Sequence, residues 1–262
     1  MHMKKKHMKR TVAAAMMLAV VGNLEANTEH KSLRPLSTDR PDTTESPYTV
    51  DRGHYQFEIE IGSLTRDGGE SSYGFGEINA KYGMDDLTDI QFVLPLYNHV
   101  VGGSEGFGDM QIRVKRNLWG NDGDGSALAV MPFIQIPTGA DGISSEKFEG
   151  GIIVPFGFAG AGGWSYGLQG ELDVVADEDG SGHHFAFLSS ATAAHPLTDD
   201  IGVFFEAVAI FSEGADATNE YYFNTGLTWG VTETLQFDGG VRVGLSNDAE
   251  DFTPFLGVSA KF

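Results

Sequence analysis

The chain contains no cysteine, which excludes a disulfide framework and thiolate chemistry. Past its first two dozen residues it has no apolar run approaching the roughly 18 residues of a membrane-spanning helix. If it spans a bilayer, it must do so as a closed sheet. Basic side chains are scarce, 17 against 37 acidic, for a net charge of −20. That excess disfavours nucleic acid and anionic surfaces as partners. The histidines of the patterned region, His99, His183, His184 and His195, map to loops or strand ends, so no nucleophile–base pair is expected on the wall. His183 and His184 adjoin the acidic run Asp177–Asp179. As strand neighbours they would point to opposite faces and not chelate a metal together. No catalytic residue, metal or cofactor is expected; lipase-like chemistry is the weaker alternative.

What is present begins with a leader. Lys4, Lys5, Lys6, Lys9 and Arg10 precede a short apolar run, Thr11 to Gly22, and Leu24-Glu25-Ala26 offers a cleavage site. Residues 1–26 read as a secretory signal peptide, too short in its apolar part to cross a membrane as a helix. Its loss removes five basic residues and Glu25, taking the charge from −20 to −24. Residues 27–53 are polar and aperiodic and form a separate segment, periplasmic or plug-like.

From residue 54 to 262 the chain repeats one pattern. Tyr55, Phe57, Ile59 and Ile61 alternate with Gln56, Glu58 and Glu60; Ile90, Phe92, Leu94 and Leu96 alternate with polar neighbours; Leu256, Val258, Ala260 and Phe262 close the chain opposite Gly257, Ser259 and Lys261. About twelve such segments follow one another, an even number as in single-chain bacterial barrels. Short turns (83–86, 160–163, 196–200, 230–233) alternate with longer acidic or Gly-rich loops (66–72, 98–108, 138–147, 177–182, 213–218, 246–251), and 120–125 is a long member of the short set. Trp119, Trp164 and Trp229 fall near segment ends, where interfacial girdles sit. The pattern predicts an all-β fold, a single antiparallel transmembrane β-barrel of about 12 strands. A secreted β-sandwich or soluble barrel shares the alternation with its faces reversed. The terminal Phe262 is the residue expected to be read by barrel-insertion machinery.

The inward stripe then carries Glu58, Glu60, Glu77, Lys81, Arg113, Lys115, Glu171, Asp173, Glu206, Glu220, Asp238, Arg242 and Lys261. Charges of both signs in so confined a space imply a salt-bridged network, a hydrated selectivity lining, or both. In the N-terminal segment Asp39, Arg40, Pro41, Asp42 and Glu45 form a second charged group. Arg40 paired with wall carboxylates would make the segment a plug; otherwise it caps the lower rim.

The stretch Ser37-Thr-Asp-Arg-Pro-Asp-Thr-Thr-Glu-Ser-Pro-Tyr-Thr-Val-Asp-Arg-Gly-His-Tyr-Gln-Phe-Glu58 resembles the opening signature of a family of outer-membrane transporters named for the meta-pathway of phenol degradation. Gly106 to Gly120, Pro132 to Gly139, Phe148 to Pro155 and Ser181 to Phe185 resemble further parts of it. The likeness runs from about Thr38 to Phe262 and implies a transport role near aromatic-compound breakdown, with no catalytic residues to carry over. The expectation is an outer-membrane channel of a Gram-negative bacterium, in contact with the lipid bilayer, passing a small, aromatic or hydrophobic solute. The alternative is a structural or surface-interaction barrel that transports nothing.

Overall fold

The computed structural model describes residues 33–177, 182–213 and 217–262. The leader expected over 1–26, and parts of the loops expected at 177–182 and 213–218, lie outside them. Arg34–Lys261 forms one compact unit. Its strands are β1 (Tyr55–Asp67), β2 (Glu70–Asp85), β3 (Thr88–Val100), the two-residue β4 (Glu105–Gly106), β5 (Met110–Trp119), β6 (Ser126–Ile136), β7 (Glu149–Ala159), β8 (Ser165–Ala176), β9 (His183–Pro196), β10 (Ile201–Ser212), β11 (Asn219–Thr232), β12 (Leu235–Gly244) and β13 (Phe252–Lys261). Each pairing is antiparallel, and β1 pairs with both β2 and β13, closing the sheet. Twelve long strands make the barrel; β4 is a short addition against β3.

The faces follow the period-two code. Outward side chains are apolar and exposed, such as Leu256 at 62% and Trp229 at 53%, while inward Glu58, Lys115 and Glu206 are each 1% exposed. This reverses the arrangement of a soluble protein. An apolar exterior over a polar interior is stable only where the surroundings are themselves apolar. Strands of a dozen residues, rising ~3.3 Å each and tilted ~40°, cover roughly a bilayer core. Aromatic rings ring both ends. Tyr55 packs on Tyr82 and Trp229 on Phe237 at the short-turn rim. Tyr73, Phe75, Tyr97 and His99 form a ladder at the other.

One connection differs from its sequence reading. Residues 66–72 do not form a long loop: β1 and β2 extend through Arg66↔Ser71 and Asp67↔Glu70. The turn is Gly68-Gly69 alone, both at positive φ, a conformation that favours glycine. Beyond the membrane both faces of a strand meet water, so alternation fades while pairing continues.

Candidate functional site

Residues 34–51 re-enter the barrel as a loop. Its two ends meet at the short-turn side, where Arg34 Nε donates to Asp51 at 2.7 Å. Lys261 Nζ donates to Asp51 at 3.0 Å and to the Arg34 carbonyl at 2.5 Å. A loop inside a barrel has no sheet to satisfy its backbone N–H groups, and leaving them bare would be costly. Wall side chains accept them instead. Glu58 takes the amides of Asp39 and Arg40, and Glu206 those of Thr43 and Thr44. Gln169 takes Glu45, Asn121 takes Thr49 and Asp89 takes Val50.

The segment's charges are matched just as closely. Asp39 lies between Lys81 and Lys115, both at 2.5 Å, and Lys81 also pairs with Glu58. Burial pushes the Asp39 carboxyl up, but Lys115 and Lys81 outweigh it and hold it well below the usual range. Arg40 donates to Asp238 at 2.9 Å and Glu60 at 3.3 Å, and its guanidinium stacks over Phe255. Gly257 makes room for it: a Cβ there would stand 2.4 Å from Arg40 Nε. Glu45 accepts from Arg113 at 2.8 Å. Asp42 has no cation. Burial, then the neighbouring Glu206, push its carboxyl up to about 8, so it is protonated at neutral pH.

Above this tip lies a cavity of about 190 Å³, lined by Pro41, Asp42, Glu60, Glu77, Asn79, Arg113, Arg242 and Phe255 among others. Here the matching fails. Glu60 and Glu77 sit directly opposite each other on β1 and β2, a like-charge cross-strand pair that destabilises unless screened or bound. Among the described residues Glu77 has no hydrogen bond or ion pair in the structure, and Asn79 Oδ1 is buried without a donor. Burial and the nearby Asp39 push the Glu45 carboxyl up to about 8 even with Arg113 beside it. Charges of both signs face the cavity, Glu60 and Glu77 beside Arg40, Arg113 and Arg242.

The expected inward residues therefore fall into three groups. Glu58, Lys81, Lys115, Glu206, Asp238 and Lys261 hold the re-entrant segment. Glu60, Glu77, Arg113 and Arg242 face the cavity, with Arg242 stacked on Tyr222. Glu171 and Asp173 stand on β8, beside Gln169, and Glu220 accepts from the Tyr222 hydroxyl at 2.6 Å. The sequence reading did not single out Asp89, Asn121 or Gln169 as site residues. They sit on the predicted polar faces or turns, but their partners are backbone amides dozens of residues away, which no local pattern announces. Arg34 and Asp51 lie in the aperiodic segment and carried no signal.

The sequence spells Gly-x-Ser-x-Gly twice, at Gly102–Gly106 and Gly163–Gly167. Neither is a strand-to-helix elbow. Ser104 lies in the loop before β4, and Ser165 opens β8 with its hydroxyl toward the Ala194 carbonyl. Neither hydroxyl bonds a histidine among the described residues. His183 donates to the Phe148 carbonyl, and His184 points to the other face. No group of three or more His, Asp or Glu able to hold a metal occurs among the described residues.

The profile of the family described as "Putative MetA-pathway of phenol degradation" matches residues 38–262. No curated relative matches the chain. Among solved structures, an outer membrane channel from Pseudomonas putida F1 aligns with a TM-score of 0.65 and 14% identity, over 86% of this chain and all of its own. The NanC porin aligns at 0.59 and 10%, over 79% of this chain and all of its own. The KdgM porin, in complex with disordered oligogalacturonate, aligns at 0.53 and 8%, over 80% of this chain and 99% of its own. At these identities the likeness is one of fold.

Proposed function

The chain belongs to this MetA-pathway family, and from that premise we propose that it is an outer-membrane channel for a small solute, of the aromatic or otherwise hydrophobic kind the family description suggests. The observation that carries the reading is the reversed barrel with a polar cavity above the re-entrant loop. Glu77 is open to the cavity, and structural filler alone would not leave the buried Asn79 Oδ1 without a donor beside empty space. The inner wall has two apolar patches, Phe204, Val208 and Tyr222 on β10 and β11 and Met131 and Ile153 on β6 and β7, either of which suits a ring or short alkyl group. The outer membrane is the matching location, since a closed sheet with an apolar exterior has no stable home in water. The passage is narrow, because residues 34–51 occupy the short-turn end.

A second reading has its own support. The re-entrant loop is bonded to ten of the twelve long strands, as a permanent filler would be, and on that reading the barrel transports nothing. Swelling of liposomes carrying the refolded protein separates the two. Entry of small uncharged solutes, phenol-sized and below, with exclusion of disaccharides is expected of the channel. Protein-loaded liposomes that behave like empty ones toward every solute would overturn it.

A further inference from the structure

At the loop-side rim three adjacent strands bring a hydroxyl, an imidazole and a carboxylate into line. Ser212 closes β10, His184 lies at the start of β9, and Asp177 directly follows β8. The registers place all three on the inner face. Val175 is opposite His184, Ala186 is opposite Ser212, and outward Phe185 and Phe187 fix the alternation. His184 Nδ1 lies 2.9 Å from Asp177 Oδ1, and His184 Nε2 lies 3.1 Å from Ser212 Oγ. The two ring nitrogens thus have different partners. The carboxylate can only accept, so Nδ1 carries the proton, and Nε2 is left with its lone pair toward the serine. All three are half-buried, the imidazole 21% and the carboxylate 30% exposed.

We propose that Ser212 is an activated nucleophile, with His184 as its general base and Asp177 as the positioning residue, acting on small neutral acyl esters at the barrel mouth. The nearby wall supports this class. Leu188 and Ile210, the pair next inward from Ala186 and Ser212 on β9 and β10 and packed on Val208 and Tyr222, offer an apolar rest for an acyl group. Glu149, Glu171, Asp173 and Glu220 on neighbouring inner positions repel anionic substrates. In the acyl-transfer step Ser212 Oγ bonds to the ester carbonyl carbon while its proton passes to His184 Nε2. The carbon–oxygen bond to the leaving alcohol then breaks, and that alcohol takes the proton from the imidazolium. Water, deprotonated by the same nitrogen, releases the acid and restores the serine.

The amides of Ser212 and Glu213 are spent on the carbonyls of Thr218 and Phe185, so they cannot serve as an oxyanion hole. The acceleration is therefore that of general-base activation, about 10²–10⁴-fold, without the further ~10²–10³ that one oxyanion donor supplies. Activated esters and phosphonylating reagents are the substrates that reveal it.

The test is labelling of the refolded full-length protein in detergent by a neutral fluorophosphonate, with the modified peptide located by mass spectrometry. The expected result is covalent label on Ser212, and not on Ser104 or Ser165. Its rate should be at least a hundredfold above that of urea-unfolded protein and fall as the solution is made acidic. His184→Ala should abolish the excess. Asp177→Asn should lower the rate and change its pH profile. Retained resistance of each variant to unfolding in SDS without heating shows that the barrel is intact. Label spread over many serines, or a Ser212 rate that His184→Ala leaves unchanged, would overturn the assignment. Solute passage does not enter this readout, so the channel reading and this one fail separately.

Discussion

The two storeys of the lumen are built from the same residue types and obey opposite rules. In the lower one, around the re-entrant loop, the acids other than Asp42 have an answer: Asp39 has two lysines, Asp238 has Arg40, and Glu206 has two backbone amides, the Thr44 hydroxyl and the Asn224 amide. In the upper one Glu77 faces Glu60 and forms no ion pair among the described residues. The lower storey teaches that a charge inside a barrel can be as structural as a leucine in a soluble core. The upper one teaches that function is to be sought where the matching stops.

The contrast can be broken most completely by removing residues 27–51. The lower storey then becomes a hydrated opening, and single-channel conductance should rise at least tenfold. Unchanged conductance would mean that the loop does not limit passage. Next in size is Asp39→Ala, which leaves Lys81 with Glu58 alone and Lys115 with no ion pair among the described residues. Orphaning a buried charge costs about 3–5 kcal/mol, so hydrogen exchange should find the amides of 37–46 deprotected while the strands stay protected.

A smaller effect comes from pH. The depressed Asp39 favours docking of the loop at pH values above the ordinary carboxylate range, and that contribution is lost as pH falls through its lowered value. Asp42 works the other way. Its raised carboxyl contributes below the ordinary range and loses that contribution as pH rises through about 8. Conductance should therefore climb above pH 8, with Glu206 as the charge that Asp42 then opposes. Asp42→Asn should flatten the climb, and a climb that survives the substitution would assign it elsewhere. Smallest in structural terms is Glu77→Gln. It relieves a like-charge pair, so thermal stability should hold or rise slightly. The ratio of potassium to chloride permeability, read from reversal potentials in a salt gradient, should fall; an unaltered ratio would place selectivity below the cavity.

Much of the barrel was legible because its physics is local. Alternation at Tyr55–Ile61 and Ile90–Leu96 assigns faces without knowledge of any neighbour, and Gly257 sits on the predicted inner stripe. The β1–β2 turn was misjudged because alternation ends at the membrane edge and pairing does not. The lower storey was hidden for another reason. Arg40 and Asp238, or Thr44 and Glu206, lie more than 150 residues apart, and the loop between them has no period to read. The Ser212–His184–Asp177 line is hidden because the sequence neighbour of His184, His183, points to the other face, while its partners lie across two strand pairings.

Lys261 belongs to the last strand, yet it grips Arg34, Pro35 and Asp51 from the first residues of the unit. Those bonds cannot exist until β13 has met β1. Docking of the N-terminal segment is thereby subordinate to completion of the sheet, and a half-assembled protein carries it loose. Protease should cut between residues 34 and 51 in chains still on the way into the membrane, and cease to do so once the seam has zipped.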